Sequence, residues 1–455
     1  MTTATRLATV VFVAFALLAL PQTARAKTIK VGNGTAASCT EHALRNALTF
    51  AEGQRSSVIQ FNCGPTPVTI TVTATLTVPD GTSIHGNGLI TLDGQFAVGT
   101  ILHVGPSRTV ALQGLNISRG GFLNAAAGVG GGVLNEGTLA VSGCTFSGNV
   151  AVSGGSIFSQ GTLIVRGSTI SGSAGTGGGI WSQGTLQVYG SAIGGNTNSG
   201  GGAILSDGIL EISGSTISGD SLAGGGGIQA VGTITISGST FRGNFSSLAG
   251  AGAIFSSGTL EIHGSTFTGN SGGNEGGAIR HGGTVTVHDS TFSDNSGEGG
   301  GGAIDGATVT VYHSTFSNNL TRFSGGAIRA GTLTVSNSTF SGNEAVDSPG
   351  GAVSAGLVTI NDSVFYGNEA GLGGGGALAT NGGTVSNSII KRNSTFTLGG
   401  GILKVGNGTL TIRDSTITQN TAGFDGGGIY TVAGATPPEL INTLVTNNTP
   451  NDIAP

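Results

Sequence analysis

One position, just before a recurring serine, carries most of the side chains able to do chemistry. Along the chain it runs Gly264, Asp289, His313, Asn337, Asp362, Asn387 and Asp414. Carboxylates and an imidazole brought side by side could hold a cation or act on a glycan. Glycoside hydrolysis needs a close carboxylate pair, and calcium-assisted cleavage needs a basic residue as proton acceptor. The same position is Gly167, Gly190, Gly214 and Gly238 in earlier units. That pattern marks a turn of positive φ, where Asn and Asp are the usual replacements for glycine. Turn chemistry is therefore the preferred reading, and no catalytic residue is assigned.

Ligand binding is expected instead over an exposed ladder face, around residues that stack on one side, Tyr189, His263, His288 and Tyr312, although these read more simply as solvated surface. No metal-ligand set and no cofactor are expected. The loop acids Glu275, Glu298, Asp347 and Asp425 could hold calcium loosely but read more simply as solvated corners. Outward threonine pairs, among them Thr284/Thr286 and Thr332/Thr334, would suit an ice-binding face. Gln187, Glu211, Glu261 and Leu357 interrupt that array, and threonine is a good exposed strand residue in any case.

The elements that must position these residues follow from composition and period. Of 455 residues 88 are glycine, while only 9% are charged and 5% aromatic. The glycines lack the strict every-third spacing of collagen, and recurring Val, Ile, Leu and Phe argue against disorder. A Gly-Gly-x-apolar step ends at Leu134, Ile157, Ile180, Ile204, Ile228, Ile254 (Ala-Gly there), Ile279, Ile304, Ile328, Val353, Leu378, Ile402 and Ile429, with gaps of 23 to 27 residues. Each unit has three short apolar runs with period-two alternation, as in Leu333 and Val335 flanked by threonines.

Such units bury themselves only by coiling, so that each strand pairs with its counterpart one turn later. The expected fold is all-β: a right-handed parallel β-helix of about 16 coils, a rod of roughly 75 Å at about 4.8 Å per coil. A propeller needs blades of about 40 residues and is excluded by the period. Phe241, Phe267, Phe292, Phe316, Phe340 and Phe365 should fill the interior. Glycines should supply positive-φ corners. The recurring asparagines (Asn149 through Asn448) should sit at turns in the left-handed conformation and hydrogen-bond along the stack.

The ends differ from the middle. Residues 1–26 read as a secretory signal, with Arg6, an apolar run from Leu7 to Leu20, and Ala24-Arg25-Ala26 at the cleavage site. The apolar run is too short for the roughly 20 residues of a membrane-spanning helix. Residues 27–63 form a cap, with a helix over 39–52 and, in an oxidising compartment, a Cys39–Cys63 disulfide. Cys144 stands where sister units carry Ser168, Ser215 and Ser239, and reads as a small packing residue. Irregular coils cover 64–127, regular repeats 128–448, and a tail 449–455. The net charge of −5, without any basic cluster, disfavours nucleic-acid partners. A monomer without a transmembrane segment is expected.

Two motifs resemble known families. Gly-Gly-Ala-[Ile/Leu/Val], at Gly276–Ile279, Gly301–Ile304 and Gly325–Ile328 among others, recurs with Phe-x-x-Asn, as at Phe316–Asn319 and Phe340–Asn343. Together they resemble the repeat of the chlamydial polymorphic outer-membrane proteins, which are surface adhesins. Cys39-Thr-Glu-His-Ala-Leu-Arg-Asn-Ala-Leu is similar to the Cys-Ser-Leu-Arg-Glu-Ala segment of secreted bacterial β-helix proteins. The chlamydial proteins also carry a C-terminal membrane barrel, for which this chain has no counterpart after Asn448. The resemblance implies a secreted or cell-surface, outer-membrane-associated rod. It would be a non-enzymatic adhesin or envelope-structural protein, binding polysaccharide or a ligand on a host or neighbouring cell. The alternative is a polysaccharide lyase or glycoside hydrolase on a pectate-lyase-like fold. The polygalacturonase signatures Asn-Thr-Asp, Asp-Asp, Gly-His-Gly and Arg-Ile-Lys are absent, as is the lyases' Arg-x-Pro-x-x-Arg. Ice binding is a minor alternative.

Overall fold

A computed structural model describes residues 26–122, 128–198 and 200–455. The expected secretory signal lies outside these residues, apart from Ala26. Its first strand, Lys27–Val31, pairs in parallel with Ser57–Phe61, which pairs in turn with the strand Thr82–Asp93. From there the chain coils as a parallel β-helix. One apolar column runs from Leu76 through Leu102, Val133 and Ile157 to Ile429 and Ile453, sixteen rungs joined by parallel pairing. The rung expected at Leu134 is in fact Val133, which is fully buried, while Leu134 pairs with the outward Phe158. Three glycines in a row before two apolar residues left that register open in the sequence.

One coil illustrates all of them. Strand Ile304–Tyr312 ends at His313, Thr315–Ser317 ends at Asn318, and Leu320–Thr321 leads into the loop that returns at Ile328. Leu333 and Val335 point in and are fully buried, while Thr332 and Thr334 point out. Phe241, Phe267, Phe292, Phe316, Phe340 and Phe365 are fully buried and stack ring on ring at 4.6–4.8 Å. That spacing is the inter-strand distance itself.

Polar ladders line the interior beside the rings. Each asparagine from Asn244 to Asn420 donates through Nδ2 to Oδ1 of the next, at 2.8–2.9 Å. These asparagines are buried, and none adopts positive φ, contrary to expectation. The left-handed residue is the one before: Asp294 (φ 56°), Asn318 (53°), Gly342 (60°), Arg392 (54°). A serine ladder runs alongside, each amide donating to the next Oγ at 3.1–3.2 Å from Ser168 to Ser388. Cys144 heads this ladder. Its amide donates to Ser168 Oγ at 3.1 Å, and its Sγ accepts from the Leu115 amide at 3.4 Å. Burial pushes the Cys144 thiol up, the wrong direction for a nucleophilic thiolate.

The glycine step has a second cause besides φ. Gly277 and Gly302 have no positive φ, but a Cβ on either would come within 2.0 Å of a carbonyl oxygen on the next coil. Glycine there lets successive backbones touch.

At the N-terminal end the helix Glu41–Glu52 lies across the first strands, burying Leu44, Ala47, Leu48 and Ala51. It starts two residues later than the apolar spacing suggests, because Thr40 caps it by accepting from the Ala43 amide at 3.2 Å. Cys39 and Cys63 are bonded, with Cα atoms 5.7 Å apart.

Candidate functional site

The corner row gathers carboxylates and an imidazole at one point of successive coils. Asp289, His313, Asn337, Asp362, Asn387 and Asp414 adopt φ of 47–50°, and Gly167, Gly190, Gly214, Gly238 and Gly264 adopt 51–56° at the same point of the coil. One left-handed turn is thus repeated with different residues filling it. Among the described residues no side-chain hydrogen bond joins Asp289, His313, Asn337 and Asp362. The row is a set of turns, and nothing in it pairs two carboxylates.

The residue before that turn ends the strand that leads into it, as Tyr312 ends Ile304–Tyr312, and faces outward. The register there runs Arg166, Tyr189, Ser213, Ser237, His263, His288, Tyr312, Ser336. His263 and His288 stack at 5.0 Å, and His288 and Tyr312 at 4.7 Å. Three of the four expected residues therefore form one continuous stack. Tyr189 shares the column but stands apart, two serines away, with the Arg166 guanidinium 4.5 Å from its ring. Burial, then the Glu211 carboxylate, push its phenol up to about 12. Burial, and then the neighbouring His263, lower the His288 pKa, favouring a neutral imidazole at neutral pH. Ring faces within the stack cover one another. The open faces are those of His263 toward Ser237 and of Tyr312 toward Ser336.

At the other margin of this strand face lies a cleft of about 450 Å³, lined by Arg280, Asp305 and Arg329. These three are register partners on successive coils. Asp305 is nearly fully buried and binds Arg329 through two bonds, Nε to Oδ1 at 2.8 Å and Nη2 to Oδ2 at 2.9 Å. Arg280 Nε lies 3.2 Å from the other side of the same carboxylate and also pairs with Glu275. Both acids serve to hold the arginines, leaving guanidinium N–H groups facing the cleft. Between cleft and aromatic stack stand the outward threonines Thr284, Thr286, Thr308 and Thr310. The face thus offers cationic donors, hydroxyls and aromatic edges side by side.

Sequence reasoning missed the cleft. Two signals were available. The column that holds Arg280, Asp305 and Arg329 runs Phe158, Trp181, Leu205, Gln229 and Phe255 on the coils before them. The stretch His281–Thr284 also holds one residue more than its partner on the next coil, and the register shifts there.

His281 next door is not part of the site. It points inward and is fully buried, with Nδ1 2.8 Å from Ser256 Oγ and Nε2 3.1 Å from the Gly258 carbonyl. That assigns the proton to Nε2 and makes the serine the donor to Nδ1. A nucleophile would have to face substrate, and Ser256 faces the core. Among the described residues no three His, Cys, Asp or Glu come together as a metal site. Of the four loop acids, Glu275 pairs with Arg280, Asp347 with Arg322 at 2.9 Å, and Asp425 accepts from Asn451 at 2.7 Å. No helix among the described residues is long and apolar enough to cross a membrane.

Comparison with known proteins agrees with this architecture. A family model described as the right-handed beta helix region matches residues 127–292 and 278–449. No curated protein and no solved structure matches the chain.

Proposed function

The chain belongs to the right-handed β-helix family, and from that premise we propose that it is a non-enzymatic rod that binds an extended glycan along one exposed strand face. The observation that carries this reading is the juxtaposition on that face. The His263–His288–Tyr312 stack, the outward threonines and the Arg280–Arg329 donors span successive coils on one side of the rod. A repeating glycan meets a repeating surface, and rigid rings with fixed donors lose little entropy on binding. Export to the cell surface, as an adhesin or envelope component, accords with the expected signal, the disulfide and the scarcity of charge. The turn conformation of the Asp289–His313–Asp362 row supports binding over cleavage, since it explains those residues without chemistry.

The test is a panel of neutral and acidic polysaccharides incubated with residues 27–455, with and without calcium. Retention on the polymer and the release of new chain ends are both recorded. Retention without new ends is the expected result. New ends above a heat-inactivated control would replace this reading with a polysaccharide-cleaving enzyme.

A further inference from the structure

The third edge of the coil, between the asparagine ladder and the glycine step, carries a feature that the interior does not need. On five successive coils it holds one large apolar side chain in solvent: Phe323, Val346, Leu372, Phe396 and Phe424, with exposures of 47, 39, 65, 65 and 73%. Main-chain bonds stack these loops directly, Val346 N to Thr321 O at 2.9 Å, Leu372 N to Val346 O at 3.2 Å and Phe424 N to Thr397 O at 2.9 Å. The apolar residues alternate between two adjacent backbone positions. Gly371 and Gly423 occupy the intervening ones, where a Cβ would come within 2.2 Å of the Val346 or Phe396 carbonyl oxygen. The result is a staggered stripe about 20 Å long at the inter-strand spacing. With about 200 Å² for a phenylalanine side chain, the exposed area is on the order of 500 Å², a size at which an apolar patch is often functional. The two coils before it carry Asn274 and Glu298 at this edge instead, and these separate the stripe from a shorter apolar pair on the coils before them, Leu222 and Leu248.

Charge identifies the occupant. The edge from Glu298 to Asp425 carries Glu298, Glu344, Asp347, Glu369 and Asp425 against one base, Arg322, which is committed to Asp347 at 2.9 Å. Glu344 and Glu369 are register partners on adjacent coils, like charges stacked with no basic residue bonded to either among the described residues. A second copy would set this acidic border against itself, and an anionic membrane would be repelled. A helix about 20 Å long has roughly 13 residues. We infer that this stripe docks a cationic amphipathic helix of a partner protein, its apolar face on Leu372, Phe396 and Phe424 and its lysines or arginines on Glu344 and Glu369. This surface is separate from the glycan-binding face.

The probe is a fluorescent 14-residue peptide of leucine and lysine in helical amphipathic order, titrated into residues 27–455. F396S/F424S should weaken binding about tenfold, a shift of about 1.4 kcal/mol. E344Q/E369Q should weaken it less and flatten its salt dependence. Val231→Ser, an exposed apolar residue on another face, should have no effect, and an unchanged Tm should show that the variants fold. Equal binding by F396S/F424S, or equal loss with Val231→Ser, would overturn the proposal. So would self-association of the parent protein, seen by sedimentation, that F396S/F424S abolishes.

Discussion

Inside the rod, six phenylalanine rings from Phe241 to Phe365 stack within 5° of parallel at 4.6–4.8 Å. Outside the same coils only three rings stack, His263, His288 and Tyr312, with angles up to 19°, before serines end the run. Both columns obey one pitch, yet only the inner one is obliged to repeat. A buried ring that lost its neighbour would leave a void, and a buried asparagine would lose a hydrogen-bond partner. An outward ring that gives way to serine leaves only water. Regularity in this chain therefore reports on stacking, and the outer repeat departs from itself at Arg280 with Asp305 and Arg329 and along the stripe from Phe323 to Phe424, the surfaces proposed above to bind.

The largest effect is expected inside the rod. Phe316→Ala removes a ring packed between Phe292 and Phe340 and should cost about 3–5 kcal/mol. Denaturant unfolding measures it, and a loss below about 1 kcal/mol would mean that the rings are not interlocked as described.

Acid should act next. Burial lowers the pKa of His281, and the positive charge of Arg280 acts in the same direction. The unfolded chain, with an ordinary value of about 6.5, then takes up the proton before the folded one does. Stability is full above that value and falls as pH drops through it toward the folded pKa. His85 and His288 are shifted the same way, so the informative quantity is the difference between parent and His281→Gln. The variant should show a shallower loss of Tm between pH 7 and pH 5. Parallel curves would contradict the inward, neutral imidazole.

The smallest effect is expected on the corner. His313→Gly places glycine where sister coils already have it, at φ 47°. Relief of left-handed strain and the added freedom of the unfolded chain oppose each other, so stability should move by no more than about 1 kcal/mol. A large loss would mean that the imidazole makes a contact beyond the turn.

The sequence carried the fold plainly because stacking converts geometry into spelling: a column of like residues in space is a period of 23 to 27 residues in the chain. It carried the turn row for the same reason, since Gly167 and Asp289 could be compared at one position. Finer points failed where the spelling was degenerate. Val133 and Leu134 are both apolar after three glycines, and only strand pairing distinguishes them. Asparagine suits a left-handed turn and a buried amide ladder alike, and burial decides for the ladder. Tyr189 lies in the aromatic column, but the serines at 213 and 237 separate it from the stack. The cleft and the apolar stripe were missed because they lie where coils differ, in an extra residue near His281 and in loops of unequal length.

Inner ladders make the rod, and glycan binding is proposed for the outer face that carries His263, His288 and Tyr312. The most direct measurement compares residues 27–455 with the triple variant H263S/H288S/Y312S for retention on whichever polysaccharide holds the parent, with Tm recorded alongside. An unchanged Tm with retention reduced at least tenfold, about 1.4 kcal/mol, is the predicted result. Retention equal to the parent's, or a Tm that falls with it, would show that the stack belongs to the rod and not to its ligand.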